Sequence, residues 1–233
     1  MKVIDLFSGL GGFSAAFLDR GWKVYRYDND PQFERIPCTL LVDVMDMKPS
    51  DLPDANIILA SLPCTHFSCA AAWRYWEDGR PKPEVQESVN LVNHTLALIE
   101  AKAPRYWVLE NPVGLLRKLL GLPAVTTYWA AWGMPYLKPT DLWGILPALE
   151  WPTPKKWEDM GKTHGKHFGV QENDSQVTQR ITSWYPKSES FAAIAPRAPA
   201  LRALIPYRFS EALCLAAEHG GGQTSLTQYM GGN

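Results

Sequence analysis

Short apolar runs alternate along this chain with segments whose apolar positions recur every three to four residues. The first run, Lys2–Phe7, predicts a strand that breaks at SGLGG. An amphipathic helix over Phe13–Asp19 follows and closes at Gly21, as glycine closes helices. Lys23–Tyr27 predicts a second strand ending in Asp28, Leu40–Val44 a third, and Ile57-Ile58-Leu59-Ala60 the centre of a fourth over Asn56–Ser61. Thr65–Pro83 has no clean period and reads as a mobile loop. Val85, Val89, Val92, Leu96 and Ile99 give the 3–4 spacing of a helix over Glu84–Ala103, closed by Pro104. Arg105–Leu109 predicts a fifth strand leading into Glu110-Asn111-Pro112. Two more strands are expected near Thr126–Trp132 and Asp141–Leu146, and a last helix over Ser210–His219.

Strands and helices in this alternation predict an α/β fold with a doubly wound, mostly parallel sheet. Such sheets bind ligands at the carboxyl ends of their strands. Phe7–Gly12, Asp28, Asp43, Pro63-Cys64 and Glu110-Asn111 all fall there. From Trp151 to Pro199 the texture turns to Lys, Gly, Pro, Ser and Thr, as in WPTPKKW and GKTHGKHFG. The expected organisation is a catalytic and cofactor-binding unit over 1–150, a small loop-rich insert over 151–199, a closing helix over 200–220 and a flexible tail over 221–233.

Composition narrows this picture. A chain of 233 residues, 46% apolar and 20% charged, can bury a sizeable core. No apolar stretch is long enough to span a membrane, and MKVIDLFSG lacks a signal-peptide layout. Residues 1–150 carry 14 Lys and Arg against 17 Asp and Glu, and the remainder 9 against 7. Bulk charge therefore does not mark a nucleic-acid protein, although a local basic surface in the second part is compatible with it. The four cysteines, Cys38, Cys64, Cys69 and Cys214, form no CxxC pair and are expected to be reduced. His66 lies two residues from Cys64, but no second pair sits at zinc spacing, so no metal is expected.

Three strand ends point toward one class of ligand. The glycine turn after the first strand lets backbone approach a ligand closely. It is neither GxGxxG nor a phosphate loop. Asp28 suits a ribose diol and Asp43 an adenine amino group. Together they suggest an adenosine-containing cofactor. Cys64, above that crevice, stands where a thiol nucleophile would be useful, given an activating partner. Glu110, after apolar Trp107-Val108-Leu109, supplies a carboxyl whose pKa burial raises, able to donate to a ring nitrogen. Each feature alone also fits a bland role: a tight turn, a solvated acid, a packed thiol, a helix cap.

The combination resembles the DNA cytosine C5-methyltransferase family. The resemblance rests on DLFSGLGGF, Asp28, VDV (42–44), SLPCTHFS (61–68) and LVNHTLALIEAKAPRYWVLENP (91–112), in that order across roughly residues 1–150. It implies a Rossmann-like methyltransferase fold that uses S-adenosylmethionine. The cofactor would lie along Phe7, Ser8, Gly9, Leu10, Gly11 and Gly12, with Asp28 and Asn29 at the ribose. Asp43 and Val44 would meet the adenine, and Pro63 and Leu91 would line the pocket. Cys64 would add to cytosine C6, Glu110 would hold N3 and the exocyclic amine, and Asn111 would order the loop. The implied partner is duplex DNA with a flipped base, bound by a monomer in a bacterial or phage-infected cytoplasm.

The chain also departs from the family pattern. ENV reads ENP, and Pro112 is read as a start for the next helix. QxRxR is absent; KPTDLW (138–143) stands there, as in phage-type members, with Lys138 or Thr140 taking over a contact to base or phosphate. The late GNS element is missing, and Ile205-Pro206 resembles only its tail. Recognition is left to Trp151–Pro199, where Lys155, Lys156, Lys162, Lys166 and Arg180 are the phosphate candidates beside Ser68 of the loop. His164, His167, Trp157 and Trp184 are candidates for stacking. This length implies short or relaxed sequence specificity. The competing readings are the same chemistry on single-stranded DNA, tRNA or a free cytosine nucleotide, and a catalytically silent binding or regulatory module.

Overall fold

A computed structural model describes residues 1–134, 137–152, 200 and 203–220 of the chain. The strands are β1 (Lys2–Leu6), β2 (Lys23–Asp28), β3 (Thr39–Leu41), β4 (Ile57–Ser61), β5 (Trp76–Glu77), β6 (Arg80–Pro81), β7 (Tyr106–Pro112), β8 (Val125–Tyr128) and β9 (Pro139–Ile145). The α-helices are α1 (Ala15–Asp19), α2 (Ala72–Tyr75), α3 (Gln86–Lys102), α4 (Arg117–Leu120) and α5 (Tyr207–His219). One seven-stranded sheet has the order β3-β2-β1-β4-β7-β9-β8. β3 through β7 pair in parallel, and β9 runs antiparallel to both β7 and β8.

The three central strands are buried along nearly their whole length: Val3, Ile4 and Leu6, then Ile57–Ala60, then Tyr106–Leu109. Strands covered by helices on both faces need no polar alternation, which explains the continuous apolar runs. The order reverses between β1 and β4. Both strands end there side by side, opening the crevice that such a reversal creates.

The closing helix α5 packs on α1. Ser210 Oγ accepts from the Ala16 N–H (3.1 Å) and donates to the Phe13 carbonyl (2.7 Å). Phe209 meets Phe13, Trp129, Trp132 and Trp151 with ring centroids 5.1–6.2 Å apart. These contacts back the glycine turn after β1 with a rigid aromatic layer.

Several local expectations change. The segment over 65–83 is folded: it holds α2 and the β5–β6 hairpin, because Phe67 and Trp76 are buried and the Trp76 indole donates to the His66 carbonyl (2.7 Å). β7 runs on through Glu110-Asn111 and ends at Pro112, which pairs with Thr140, so Pro112 closes a strand and does not open a helix. The strand expected over Thr126–Trp132 stops at Tyr128, and Trp129–Trp132 form a 3-10 turn that turns two indoles inward. The third strand is only Thr39–Leu41, because Asp43 caps a 3-10 turn over Val44–Asp46.

Candidate functional site

The glycine turn is built on a positive-φ Phe7 (58°), with Gly9 (50°) and Gly11 (73°) also left-handed. Gly9 N–H donates to Asp28 Oδ2 (2.8 Å), and Asp30 N–H to Asp28 Oδ1 (3.0 Å). Asp28 therefore holds the turn while each oxygen keeps a lone pair for a further donor. Burial pushes its carboxyl up, and the backbone amides of Asp30, Gly9 and Asn29 pull it back. Ser8 Oγ is buried and lacks a hydrogen-bond partner. Leu10 belongs to a buried apolar cluster with Phe33, Ile36 and Leu204.

Beneath the turn lies a polar network that the sequence reading did not single out. Arg26 Nε donates to Ser14 Oγ (2.8 Å), Nη1 to the Pro37 carbonyl (2.8 Å) and Nη2 to the Gly11 carbonyl (3.0 Å). Ser14 donates in turn to buried Asp5 (2.6 Å). Burial outweighs Arg26 and Ser14 and raises the Asp5 carboxyl to about 6. A β-carbon at Gly11 would meet Arg26 Cζ at 2.5 Å, so this position excludes a side chain for reasons of packing as well as φ. The available signal was a single charged residue, Arg26, within the otherwise apolar-aromatic VYRY.

The second and third strand ends are joined by side-chain contacts. Asn29 Nδ2 donates to Asp43 Oδ2 (3.0 Å), and Asp43 Oδ1 caps the turn through the Met45 N–H (2.9 Å). Val44 is buried, Leu91 is half-buried on α3, and Pro63 is exposed. The Ser8 hydroxyl, which has no hydrogen-bond partner, and the acceptor lone pairs of Asp28 are groups that could hold the hydroxyls of a ribose.

Cys64 lies three residues past β4, and Glu110 sits across from Ser61, the last residue of β4. Parallel pairing thus delivers the thiol and the carboxyl to the same end of adjacent strands. Glu110 is buried, and its Oε1 makes no hydrogen bond. Lys138 Nζ stands 3.9 Å away, with its own side chain 11% exposed. Burial pushes the Glu110 carboxyl up; Lys138, then Ser61, pull it down. Cys64 is exposed, and loss of water is the largest influence on its thiol. That burial raises the thiol, Lys138 lowers it, and Glu110 raises it.

Neighbouring side chains fix this arrangement. Asn111 is buried, and its Nδ2 donates to the Leu62 carbonyl (3.0 Å), tying the Pro63-Cys64 turn to β7. The Phe67 carbonyl accepts from the Leu115 N–H (2.7 Å), and a β-carbon at Gly114 would stand 2.1 Å from that oxygen. Only a residue without a side chain lets the loop close on β7 there. His66 Nδ1 shares a hydrogen bond with Ser88 Oγ (2.6 Å), and its ring packs edge-on to Tyr75. Arg117 grips buried Asp141 with two 2.6 Å bonds, bracing β9 beside Asn111. The histidine, glycine and Arg117–Asp141 contacts join residues far apart in sequence and carry no local signal.

The nucleic-acid candidates divide. Lys138 joins the site. Thr140 is fully buried and donates to the Lys138 carbonyl (3.2 Å), so it supports that backbone and presents no hydroxyl to a partner. Ser68 is half-buried and bridges to Gly114. Lys155, Lys156, Lys162, Lys166 and Arg180 lie outside the described residues, as do His164, His167, Trp157, Trp184 and the tail over 221–233. Among the described residues no group of three His, Cys, Asp or Glu could hold a metal, and no helix is long and apolar enough to cross a membrane.

The sequence profile described as C-5 cytosine-specific DNA methylase matches residues 1–123. A type II methyltransferase M.Bsp6I from Bacillus sp. (strain RFL6) is 30% identical over 124 residues, covering 50% of this chain and 37% of its own. M.NgoBI of Neisseria gonorrhoeae is 33% identical over 119 residues, covering 47% and 34%. The orphan methyltransferase M.Rho11sI of Bacillus phage rho11s is 26% identical over 127 residues, covering 50% and 24%. The matched region spans about a third or less of the length of these curated relatives.

Proposed function

Because this chain belongs to the C-5 cytosine-specific DNA methylase family, we propose that it methylates cytosine in duplex DNA at C5, with Cys64 as nucleophile and Glu110 as the proton-holding partner. The observation that carries this reading is the pairing of Cys64 with a buried carboxyl whose Oε1 lacks a hydrogen bond, at the ends of adjacent strands. A buried carboxyl oxygen without a hydrogen bond is costly; a cytosine N4 amine would donate to it, or, protonated, the carboxyl would donate to N3.

The chemistry follows from these groups. Cytosine C5 is a poor nucleophile while the ring is aromatic. The Cys64 thiolate adds at C6, forming the S–C6 bond and moving the C5–C6 π pair onto C5. Glu110 holds a proton at N3, where charge would otherwise develop; its raised pKa keeps that proton available. Phe7–Gly12 would hold S-adenosylmethionine, with Asp28 and Asn29 at the ribose and Asp43, Val44, Pro63 and Leu91 around the adenine, and its sulfonium would supply the activated methyl group. As the C5–CH3 bond forms, the methyl–sulfur bond breaks and the cofactor would leave as a neutral thioether; the C5 proton then passes to water, and the electron pair left at C5 re-forms the C5–C6 double bond as the thiolate leaves C6. Asn111 keeps the Pro63-Cys64 turn in place through the Leu62 carbonyl. A base stacked inside a duplex offers no thiol access to its C6 and leaves no room for a cofactor at C5, so the target would be flipped. The length of 151–199 supports short or relaxed sequence specificity.

The test is transfer of tritium-labelled methyl from S-adenosylmethionine to duplex DNA, single-stranded DNA, tRNA and dCMP in parallel. Transfer to duplex DNA that disappears in Cys64→Ala is the expected result. Transfer only to another acceptor would move the substrate and keep the chemistry. Cofactor binding with no transfer to any acceptor would overturn the reading.

A further inference from the structure

Two left-handed glycines shape the turn after β1, and one strand grips both. Gly9 (φ +50°) donates its N–H to Asp28 Oδ2 (2.8 Å), and Gly11 (φ +73°) offers its carbonyl to Arg26 Nη2 (3.0 Å). Arg26 and Asp28 stand two apart on β2, so their side chains leave the same face of the sheet. Arg26 is 3% exposed, and its parallel partner on β1 is Asp5. A cation buried this deeply is tolerated only where its donors find acceptors. The acceptors it finds are chiefly those that shape the turn.

The guanidinium joins three segments. Nη2 reaches the turn, Nε reaches Ser14 Oγ at the start of α1 (2.8 Å), and Nη1 reaches the Pro37 carbonyl ahead of β3 (2.8 Å). Ser14 is the N-cap residue of α1, where a serine hydroxyl ordinarily accepts from a backbone N–H of the first turn. This one makes no capping bond. It accepts from Arg26 and donates to Asp5 (2.6 Å). The helix thus forgoes its cap while the turn is braced. The brace has no slack, since a β-carbon at Gly11 would stand 2.5 Å from Arg26 Cζ. A lysine would keep the charge beside Asp5, but its single ammonium lacks the planar fork that reaches acceptors on three segments.

We propose that Arg26 is a positioning residue for the cofactor: it holds the Gly11 carbonyl while Asp28 holds the Gly9 N–H, and so sets the turn in its binding conformation before the ligand arrives. The inference rests on the assignment of S-adenosylmethionine to this turn. A turn that visits its binding conformation only part of the time weakens apparent affinity by that fraction. A turn ordered in advance spares the ligand the work of ordering it.

The experiment is isothermal titration of the full chain with S-adenosylmethionine and, separately, with S-adenosylhomocysteine. In Arg26→Lys the Kd for both should rise about tenfold or more, the equivalent of one charge-assisted hydrogen bond at the turn. Ser14→Ala removes the anchor on α1 and should weaken both ligands by a smaller factor. Gly21→Ala, just past α1 with φ +77° and nothing within 4 Å of the added carbon, strains the backbone away from the turn and should bind like wild type. Thermal melting of each variant reports stability separately from affinity. In methyl transfer, KM for the cofactor should rise in Arg26→Lys while kcat at saturating cofactor stays within about twofold. Folded Arg26→Lys and Ser14→Ala that both bind like wild type would overturn the positioning role and leave the cofactor assignment standing. An equal loss of affinity in Gly21→Ala would overturn it too, because binding would then follow stability alone. If Arg26→Lys does not fold, Ser14→Ala decides by the same titration. Wild type that binds neither ligand would overturn the cofactor assignment, and this proposal with it.

Discussion

Gly11→Ala tests whether Arg26 really fills the space under the cofactor turn. The new β-carbon would stand 2.5 Å from Cζ, 2.7 Å from Nε and 2.8 Å from Nη1, where ordinary contact needs about 3.5 Å or more. The guanidinium must retreat by about 1 Å. It is not free to swing, because its three hydrogen bonds go to Ser14, the Pro37 carbonyl and Gly11 itself. Losing one charge-assisted bond destabilises by about 1.5–3 kcal/mol. Forcing alanine to φ +73° adds about 1 kcal/mol. Gly21→Ala is the matched control, with φ +77° and nothing within 4 Å of the added carbon. It should lose only the backbone portion, about 1 kcal/mol. In thermal melts of a chain this size, Gly11→Ala should fall by about 5–16 °C and Gly21→Ala by about 2–4 °C. If the two variants melt within about 2 °C of each other, Arg26 does not occupy that space and the account of the turn is wrong.

Two further outcomes follow from buried polar groups. Asn111→Ala strips the Leu62 carbonyl of its donor and should destabilise the fold by about 1–3 kcal/mol, while lowering kcat more than it raises KM, because the loosened Pro63-Cys64 turn misplaces the thiol; denaturant melts and steady-state kinetics read both. Asp5, raised to about 6, binds a proton in the folded state above the pH at which it does so unfolded. Its burden on stability is therefore present near pH 7 and fades as pH falls from about 6 to about 4. Wild type should gain stability relative to Asp5→Asn over that interval, and urea titrations at both ends showing no relative change would contradict it.

The sequence by itself determined the order of elements and the strand ends that matter. Apolar runs at Ile57–Ala60 and Tyr106–Leu109, and Val3–Leu6 broken only by buried Asp5, reflect strands covered on both faces, a pattern written in local composition. DLFSGLGG, Pro63-Cys64 and Glu110-Asn111 were legible because short segments carry them whole. Local pattern failed where one residue's fate depends on a distant one. The 65–83 segment lacks a period but folds because Phe67 and Trp76 find burial against the rest of the chain. Pro112 continues a strand because β9 receives it, and Thr140 is turned inward by the same pairing.

The tertiary structure alone decided how the site is charged. Nothing near Lys138 in the sequence indicates Glu110 or Cys64, which lie 28 and 74 positions away in the chain. Antiparallel pairing of β9 with β7 brings the lysine to the carboxyl, and parallel pairing of β4 with β7 brings the carboxyl to the thiol. Likewise, Gly11 has a clear reason to be glycine only once Arg26 is seen beneath it. Periodicity and motifs record which residues a segment needs for itself. Electrostatic coupling falls off with distance in space, and only the folded chain sets that distance.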